Sequence, residues 1–316
     1  MSRSQHLVMP EAQSMLAMFA STMDGGGVPE MRAGMAGMMA MMPPPTGEGV
    51  TVSDRTIKGL NGAPDVPIRI YIPSWLEAPY PIHLDIHGGG YIAGDLETDR
   101  QICRDLVKGA DCAVVSVDYR LAPETIYPGS SDDCYAALLW IAKEGPALGF
   151  DTSKLTIGGE SAGGGHAAAL AIRARDEGGP EIRLQLLGQP MLDDRTCAAD
   201  PHPFTGEYVW THALNTLGWG SLLGVEPGSG AVPAGAVPSR CADLAGLPPT
   251  FIIVGALDLF VEEDIEYARR LMRAGVPTEL HVLPGMFHGA ASVVPDAALS
   301  KAYFDMQFKA LRRAVA

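Results

Sequence analysis

The sequence predicts an α/β protein in which helices cover both faces of a mostly parallel, eight-stranded sheet. Hydrophobic residues make up 47% of the 316 residues and charged residues 19%, a composition that can form a large buried core. From residue 50 onward, short β-rich runs come to alternate with helical patterns, which is typical of parallel strands joined by crossover helices. The first runs follow one another without helices, so we expect that edge of the sheet to be antiparallel.

The predicted elements follow in chain order. The β-rich runs occupy residues 50–57, 68–72, 82–86, 113–118, 155–158, 182–187, 251–255 and 279–283. Helical patterns predict helices near residues 98–110, 132–143, 162–176, 262–274 and 296–314. The chain length suits one domain with an insertion, and the sequence contains no internal repeat.

Two segments depart from this regular pattern. Residues 1–50 hold 11 of the 15 methionines, and five of these follow the spacing of one helical face: Met31, Met35, Met38, Met39 and Met42. Two interpretations are open, ordinary core packing or a pliable apolar lid, because thioether side chains repack easily around ligands. Residues 191–235 place aromatic residues among turn formers after the sixth β-run. This insertion either covers a ligand crevice at the carboxyl edge of the sheet or forms a satellite packing cluster.

Charge, hydropathy and cysteine content argue against several classes of protein. The formal net charge is −14, from 37 acidic and 23 basic side chains, which argues against nucleic-acid partners and anionic membrane surfaces. The longest apolar run, residues 33–42, is too short for a membrane span, and the N-terminus lacks a convincing signal-peptide pattern. The five cysteines include no CxxC pair. We therefore expect neither a disulfide framework nor a zinc site, and a cytoplasmic location.

The strongest catalytic signal is the sequence GESAG at residues 159–163. A β-rich run precedes it and an alanine-rich helical pattern follows it, so Ser161 is predicted to lie on a sharp strand–helix turn with its hydroxyl exposed. The flanking glycines are expected because a Cβ there would collide with the neighbouring strand or helix. We interpret Ser161 as a nucleophile, which needs a base to take its proton.

An aspartate and a histidine follow Ser161 in the chain order that this kind of turn requires. Asp258 comes shortly after the seventh β-run, and His288 lies in the loop after the eighth. Loops that follow neighbouring parallel strands can converge at one edge of the sheet. We therefore expect His288 to act as the base and Asp258 to orient it. Glu262 and Glu263 remain alternatives for the acid.

A glycine run, HGGGY at residues 87–91, follows the third β-run. Ester cleavage places negative charge on the carbonyl oxygen, and preorganised backbone N–H groups must stabilise that charge. Glycines let the backbone approach the oxygen with no side chain in the way. We predict that the N–H groups of Gly88, Gly89 and Ala162 form this oxyanion hole, and that His87 anchors the loop.

Four motifs together resemble the hormone-sensitive lipase family of α/β-hydrolases, in particular its bacterial esterases. They are HGGG at 87–90, YRLAPE at 119–124, GESAGG at 159–164 and the loop that contains His288 and Gly289, in the same order as in the family. The resemblance runs from about residue 50 to the C-terminus. It implies the α/β-hydrolase fold and carboxylesterase action on short- to medium-chain acyl esters, without a metal or cofactor.

The resemblance also implies a helical cap built from the two irregular segments. It divides the chain into an N-terminal cap arm (1–50), the first part of the catalytic core (51–190), a cap insertion (191–235) and the second part of the core (236–316). Candidate substrate-pocket residues lie on these segments and beside the glycine run: Tyr91, Trp210, Leu214, Trp219 and Met38. Many family members are dimers paired through the eighth strand, so the run from Glu279 to Leu283 is a candidate homodimer interface.

The sequence departs from the family pattern at two positions. Glu160 stands where many members carry aspartate before the nucleophile, and Leu259 stands where proline often follows the acid. Arg120, in the second motif, is expected to pair with a carboxylate and hold the loops near the site. The same machinery also suits amides, carbamates or lactones, and a non-catalytic small-molecule receptor of this fold is a further alternative.

Overall fold

The computed structural model describes residues 2–16, 26–41, 45–46, 48–200 and 202–316. Within these ranges, eight strands form one sheet in the order β1-β2-β4-β3-β5-β6-β7-β8. β1 pairs with β2 and β2 with β4 in antiparallel fashion, and the other neighbours are parallel. The strands are β1 (Val50–Ile57), β2 (Val66–Pro73), β3 (Tyr80–Ile86), β4 (Ala113–Val117), β5 (Phe150–Glu160), β6 (Gln185–Gly188), β7 (Thr250–Gly255) and β8 (Thr278–Leu283). The predicted eight-stranded sheet with one antiparallel edge is confirmed.

Burial explains why the sequence predicts the central strands. β4, β6 and β7 are buried along their whole length, because helices cover both faces of a parallel sheet and leave continuous apolar runs. β5 is longer than the run that predicts it, since it starts at Phe150 and ends at Glu160. β6 is shorter than its predicted run and begins only at Gln185.

The helices of the described residues are α1 (Val28–Met41), α2 (Arg100–Ala110), α3 (Gly129–Glu144), α4 (Ala162–Glu177), α5 (His212–Leu223), α6 (Val261–Arg273), α7 (Ala290–Val293) and α8 (Ala298–Val315). The five predicted helices correspond to α2, α3, α4, α6 and α8. α5 lies in the insertion and has no clear amphipathic pattern in the sequence, because its buried face includes Asn215 and Gly218 while Leu217 lies outside that face. The described side chains of α1 are half-buried or exposed, so this helix does not belong to the core.

Apolar clusters fill both faces of the sheet and its carboxyl edge. On one face, side chains of α3, α4 and α6 pack against the strands. On the other face, α2 and α8 do so, and Phe308 of α8 occupies the space beside Gly109 of α2 where a Cβ would otherwise lie. A third cluster includes Tyr91 and Phe260, which follow the ends of β3 and β7, together with Trp210 of the insertion. This third cluster surrounds the place where the predicted catalytic residues meet.

Two further properties concern the described residues alone. None of their helices combines the length and the apolar character needed to cross a membrane. All five cysteines lie within the described ranges and none forms a disulfide.

Candidate active site

Ser161 lies on the turn between β5 and α4, with φ 59° and ψ −121°. A residue other than glycine rarely adopts this backbone conformation. A Cβ on either Gly159 or Gly163 would overlap the carbonyl oxygen of Ile86, so the predicted need for glycine on both sides is confirmed. The Ser161 N–H donates to the carbonyl oxygen of Gly188 at 2.8 Å and ties the turn to β6. The serine is therefore held on the sharp turn that the sequence predicts.

The structure brings His288 and Asp258 to Ser161. The His288 Nε2 atom lies 3.0 Å from Ser161 Oγ, and its Nδ1 atom lies 2.8 Å from Asp258 Oδ2. The second Asp258 oxygen accepts the N–H of Phe260 at 3.0 Å, and the Phe260 ring stands edge-on to the imidazole with centroids 5.2 Å apart. A buried carboxylate on Nδ1 leaves Nε2 facing the hydroxyl, where it can accept the proton. The loops after β5, β7 and β8 supply these three side chains.

The two alternative acids lie elsewhere. Glu262 is exposed on the first turn of α6. Glu263 is buried and accepts the N–H groups of Leu192 and Asp193 at 2.7 and 3.0 Å, together with the Thr196 hydroxyl. Burial raises the pKa of Glu263 well above its ordinary value, and these hydrogen bonds oppose the rise. Neither glutamate contacts the imidazole, so Asp258 is the acid that the geometry supplies.

The glycine run lies against the nucleophile turn, and a Cβ on Gly88 would approach the carbonyl oxygen of Glu160 to 3.1 Å. Gly89 and Gly90 have φ values of 120° and 62°, which favour glycine. The N–H groups of Gly88, Gly89, Gly90 and Ala162 donate to no acceptor within the part of the chain that the structure describes.

Side chains of two motifs hold the start of the glycine run in place. The His87 ring stacks on Tyr119 with centroids 4.2 Å apart, and the Tyr119 hydroxyl donates to the His87 carbonyl oxygen at 2.9 Å. Burial lowers the pKa of His87 to about 4, so the ring is neutral near pH 7 and acts as an anchor, as predicted. Arg120 pairs with Asp133 through Nε and Nη2, each at 2.8 Å. The predicted carboxylate partner of Arg120 is confirmed.

Trp210 is a predicted pocket residue whose ring lies close to the imidazole. Its ring centroid is 6.1 Å from that of His288. The same ring occupies the space that a Cβ on Gly90 would fill. Its Nε1 atom donates to Asn215 Oδ1 of α5 at 3.2 Å, which fixes the ring plane. The insertion thus reaches both the base and the glycine run through one aromatic side chain.

The other predicted pocket residues have different surroundings. Tyr91 and Trp219 are fully buried with ring centroids 5.0 Å apart, and the Tyr91 hydroxyl donates to the carbonyl oxygen of Met191 at 3.0 Å. Leu214 of α5 is buried in the same cluster. The side chain of Met38 lies outside the described residues. Tyr91 and Trp219 therefore form a packed layer behind the site.

Arg32, on the N-terminal helix α1, contacts the glycine-run region and gave no signal in the sequence. Its Nε donates to the carbonyl oxygen of Ile92 at 2.7 Å, and its Nη2 to that of Ala122 at 3.1 Å. Both Nη atoms also bind the Glu124 carboxylate, at 2.8 and 2.7 Å. One arginine thus fastens α1 to the YRLAPE motif and to the chain just after the glycine run.

Gln189 is a second residue that sequence reasoning missed. It follows β6 with φ 37°, a left-handed conformation that is uncommon for glutamine. Its amide connects the Glu160 carboxylate to the N–H of Gly289, the residue after His288. The only related signal in the sequence was the departure from the family pattern at Glu160.

Comparisons with known proteins agree with this geometry. Residues 83–292 match the model of a family with the α/β hydrolase fold. Esterase LipI of Mycobacterium tuberculosis (strain ATCC 25618 / H37Rv) is 39% identical over 255 residues, which cover 78% of this chain and 78% of that protein. Carboxylesterase NlhH of M. tuberculosis (strain CDC 1551 / Oshkosh) is 36% identical over 252 residues, with 78% of each chain covered.

A solved structure is similar along almost the whole chain. The structure of a bacterial heroin esterase matches with a TM-score of 0.90 and 38% identity, covering 98% of this chain and 99% of that one. Esterase LipW from Mycobacterium marinum matches with a TM-score of 0.84 and 36% identity, over 99% and 98% of the two chains. Together with the four motifs and the sheet order, these matches establish that the chain belongs to the α/β-hydrolase fold family, within its hormone-sensitive lipase group.

Proposed function

We propose that this protein is a serine carboxylesterase that hydrolyses short- to medium-chain acyl esters. The observation that carries the proposal is the chain of contacts from Asp258 through His288 to Ser161, with both hydrogen bonds at 3.0 Å or less. The names of the similar proteins, esterase and carboxylesterase, support the same reaction. The substrate partner is accordingly a small-molecule ester.

The reaction proceeds in two acyl-transfer steps. Ser161 Oγ attacks the ester carbonyl carbon while His288 Nε2 takes the hydroxyl proton, and His288 then returns this proton to the leaving alcohol. Water repeats the path against the acyl-enzyme and releases the acid. Asp258 keeps the imidazole in the required tautomer and offsets its transient positive charge.

We assign the oxyanion hole to the free N–H groups at the same edge. Gly88, Gly89 and Ala162 keep their predicted roles, because each N–H lacks another acceptor among the described residues. The Gly90 N–H is free of acceptors among these residues as well, but the Trp210 ring occupies the space beside Gly90.

We further propose that residues 1–50 and 191–235 act together as a cap over the catalytic core formed by residues 51–190 and 236–316. Contacts between the two segments support this division, since Glu207 of the insertion accepts the N–H groups of Arg3 and Ser4 at 2.9 and 2.8 Å. Trp210 would line the substrate pocket, while Tyr91 and Trp219 would support it from behind. In this arrangement the cap determines which acyl chains fit.

The decisive test is the variant Ser161→Ala. We expect kcat/KM for p-nitrophenyl butyrate to fall by about 10⁴-fold or more, because the nucleophile is lost. A fluorophosphonate probe should label the unaltered protein and leave the variant unlabelled, and matched thermal unfolding curves would show that the fold is retained. Hydrolysis by the variant near the original rate would reject the mechanism.

A panel of acyl esters from acetate to laurate, run beside matched amides and lactones, would define the substrate class.

The protein is also proposed to form a homodimer through β8. This strand is the last in the sheet and pairs only with β7 among the described residues, and Val282 on it is 39% exposed. An exposed edge strand can pair with the same strand of a second copy. Val282→Lys should convert the dimer to a monomer in size-exclusion chromatography with light scattering. Ile126→Lys, at an exposed apolar side chain outside β8, should leave the dimer intact, and a monomeric unaltered protein would contradict the proposal.

The absence of disulfides among the five cysteines supports a reducing compartment. We therefore infer a cytoplasmic location.

A further inference from the structure

A buried carboxylate lies directly beside the nucleophile turn and accepts three side-chain hydrogen bonds. Glu160 Oε2 accepts the Tyr303 hydroxyl at 2.6 Å and the Gln189 amide at 3.2 Å, while Oε1 accepts the Gln307 amide at 3.0 Å. The carboxylate lies where a Cβ on Gly188 would be, so the neighbouring strand leaves it room. Burial raises the pKa of Glu160, and these three hydrogen bonds oppose the rise. Hydrogen-bond donors, rather than a cationic side chain, therefore stabilise this carboxylate.

Gln189 links the Glu160 carboxylate to the loop that contains His288. Its Nε2 donates to Glu160, and its Oε1 accepts the Gly289 N–H at 2.8 Å. Glu160 is bonded covalently to Ser161, and Gly289 is bonded covalently to His288. The Gln189 side chain therefore spans the two backbone segments that hold the nucleophile and the base. Its left-handed backbone, with φ 37°, is a strained conformation of the kind that collects at functional sites.

We propose that Glu160 and Gln189 are positioning residues that set the distance between the His288 imidazole and the Ser161 hydroxyl. Asp258 fixes the direction of the imidazole through its Nδ1 atom, and the Gln189 bridge fixes the backbone immediately after the imidazole. Neither residue touches the reacting atoms. Their effect on the reaction is through geometry, since small displacements of reacting groups slow catalysis strongly. This inference rests on the proposed esterase function.

The donor and acceptor pattern of the bridge allows a swap experiment. In Gln189→Glu, two carboxylates would face each other and the donor to Glu160 would be lost. In the double variant Glu160→Gln with Gln189→Glu, the new amide at position 160 can donate to the new carboxylate at position 189, which still accepts the Gly289 N–H. The Tyr303 hydroxyl can then accept a hydrogen bond instead of donating one. The swap thus restores the bridge in the reverse direction.

The test measures kcat and KM for p-nitrophenyl butyrate in each variant. We expect Gln189→Glu to lower kcat by about 10- to 100-fold with little change in KM, since the imidazole moves while the pocket stays. The swapped double variant should recover kcat to within about threefold of the unaltered protein, which a double-mutant cycle would report as strong coupling. If Gln189→Glu does not fold, Gln189→Met removes the bridge without adding charge and should lower kcat in the same way.

A matched control separates positioning from general packing of β6. Gln185, a buried glutamine on β6, donates to Thr250 at 2.8 Å and makes no contact with the His288 loop. Gln185→Leu should lower the unfolding temperature without lowering kcat. The inference is overturned if Gln189→Glu keeps normal kcat, if the double variant is no better than that single variant, or if Gln185→Leu loses as much kcat. An unaltered protein without esterase activity would instead reject the proposed function itself.

Discussion

Ser161 occupies a backbone region that costs a non-glycine residue about 1–3 kcal/mol. The structure maintains it because close contacts and one hydrogen bond leave no relaxed alternative. Gly159 and Gly163 let the Ile86 carbonyl group approach the turn, and the Ser161 N–H is bonded to β6. The strained turn directs the hydroxyl to the imidazole. The nucleophile is therefore placed before any substrate arrives.

The role of Asp258 can be tested with Asp258→Asn. An amide at this position favours the wrong imidazole tautomer, so we expect kcat to fall by about 10³- to 10⁴-fold with the fold retained. Steady-state kinetics and thermal unfolding would measure this. Glu262→Gln, on the exposed face of α6, is the matched control and should keep normal kcat. A large loss in the control with a small loss in Asp258→Asn would reverse the assignment.

Sequence reasoning identified the residues that the structure brings together, because each stands at a motif whose chemistry requires it. Ser161, Asp258 and His288 follow strand ends, and strand ends of a parallel sheet share one edge. The surroundings of the glycine run required coordinates. The Trp210 ring that fills the space beside Gly90 comes from the insertion, far along the chain, and no local pattern predicts that contact.

At the scale of elements, α1 is attached to the rest of the molecule differently from the core helices. None of its described side chains is fully buried, and Val28 and Met31 pack partly buried against the third apolar cluster. Arg32 also forms hydrogen bonds with Ile92, Ala122 and Glu124. The methionine spacing predicts this helix but not its attachment. Arg32 was one charged residue among methionines, and its partners lie 60 or more residues away.

Removal of this attachment is expected to weaken the site from a distance. Arg32→Ala loses two charge-assisted hydrogen bonds to backbone carbonyl groups, and we expect kcat/KM to fall by about tenfold. The loss should grow with ester chain length if α1 covers the pocket. Arg269→Ala is the control, because Arg269 pairs only locally with Glu266 on α6. Equal kinetics in Arg32→Ala and the unaltered protein would show that α1 is not coupled to the site.

The sequence predicted the central strands well and the insertion poorly, for one physical reason. β4 and β7 are buried on both faces, so they appear as uninterrupted apolar runs. α5 is buried along one face, but polar Asn215 and Gly218 lie on that face, so the hydrophobic pattern of its sequence is weak. Its first turn depends on a hydrogen bond from the Leu214 N–H to the Thr211 hydroxyl, a common cap that occurs in many contexts.

At the scale of the whole molecule, a chain with a net charge of −14 also buries carboxyl groups without cationic partners. Asp85 lies at the carboxyl end of β3, where it accepts a hydrogen bond from the Cys103 thiol at 3.3 Å. Burial, with a smaller effect of the nearby Glu160 carboxyl group, raises the pKa of Asp85 to about 7, although the Cys103 hydrogen bond opposes the rise. Buried carboxyl groups such as that of Asp85 make the free energy of unfolding depend on pH near neutrality.

The sign of this dependence follows from proton binding. The folded protein keeps a proton on Asp85 up to about pH 7, whereas the unfolded chain releases it near its ordinary pKa of 3.8. This contribution of Asp85 to folding stability is fully present below about pH 3.8 and is lost as the pH rises through about 7. Asp85→Asn lacks this titration, so its stability relative to the unaltered protein should improve from pH 5 to pH 8, by up to about 3 kcal/mol.

Chemical denaturation at the two pH values would measure the difference. Asp54→Asn is the control, because its ion pair with Arg69 lowers the pKa of Asp54, so both states are ionised throughout this range. Its effect should be the same at pH 5 and pH 8. A constant offset for Asp85→Asn would mean that the Asp85 carboxyl group does not titrate near neutrality.

The tryptophan ring that stands in the place of a side chain on Gly90 has a consequence for engineering. A chimera that received residues 191–235 from a relative would bring a new aromatic ring, or none, against an unchanged glycine. Alanine at position 90 would, in turn, fit only an insertion whose ring is displaced. A library that places larger residues at position 90 therefore has to vary the tryptophan together with it, whereas Gly90 itself leaves room for other rings from the insertion.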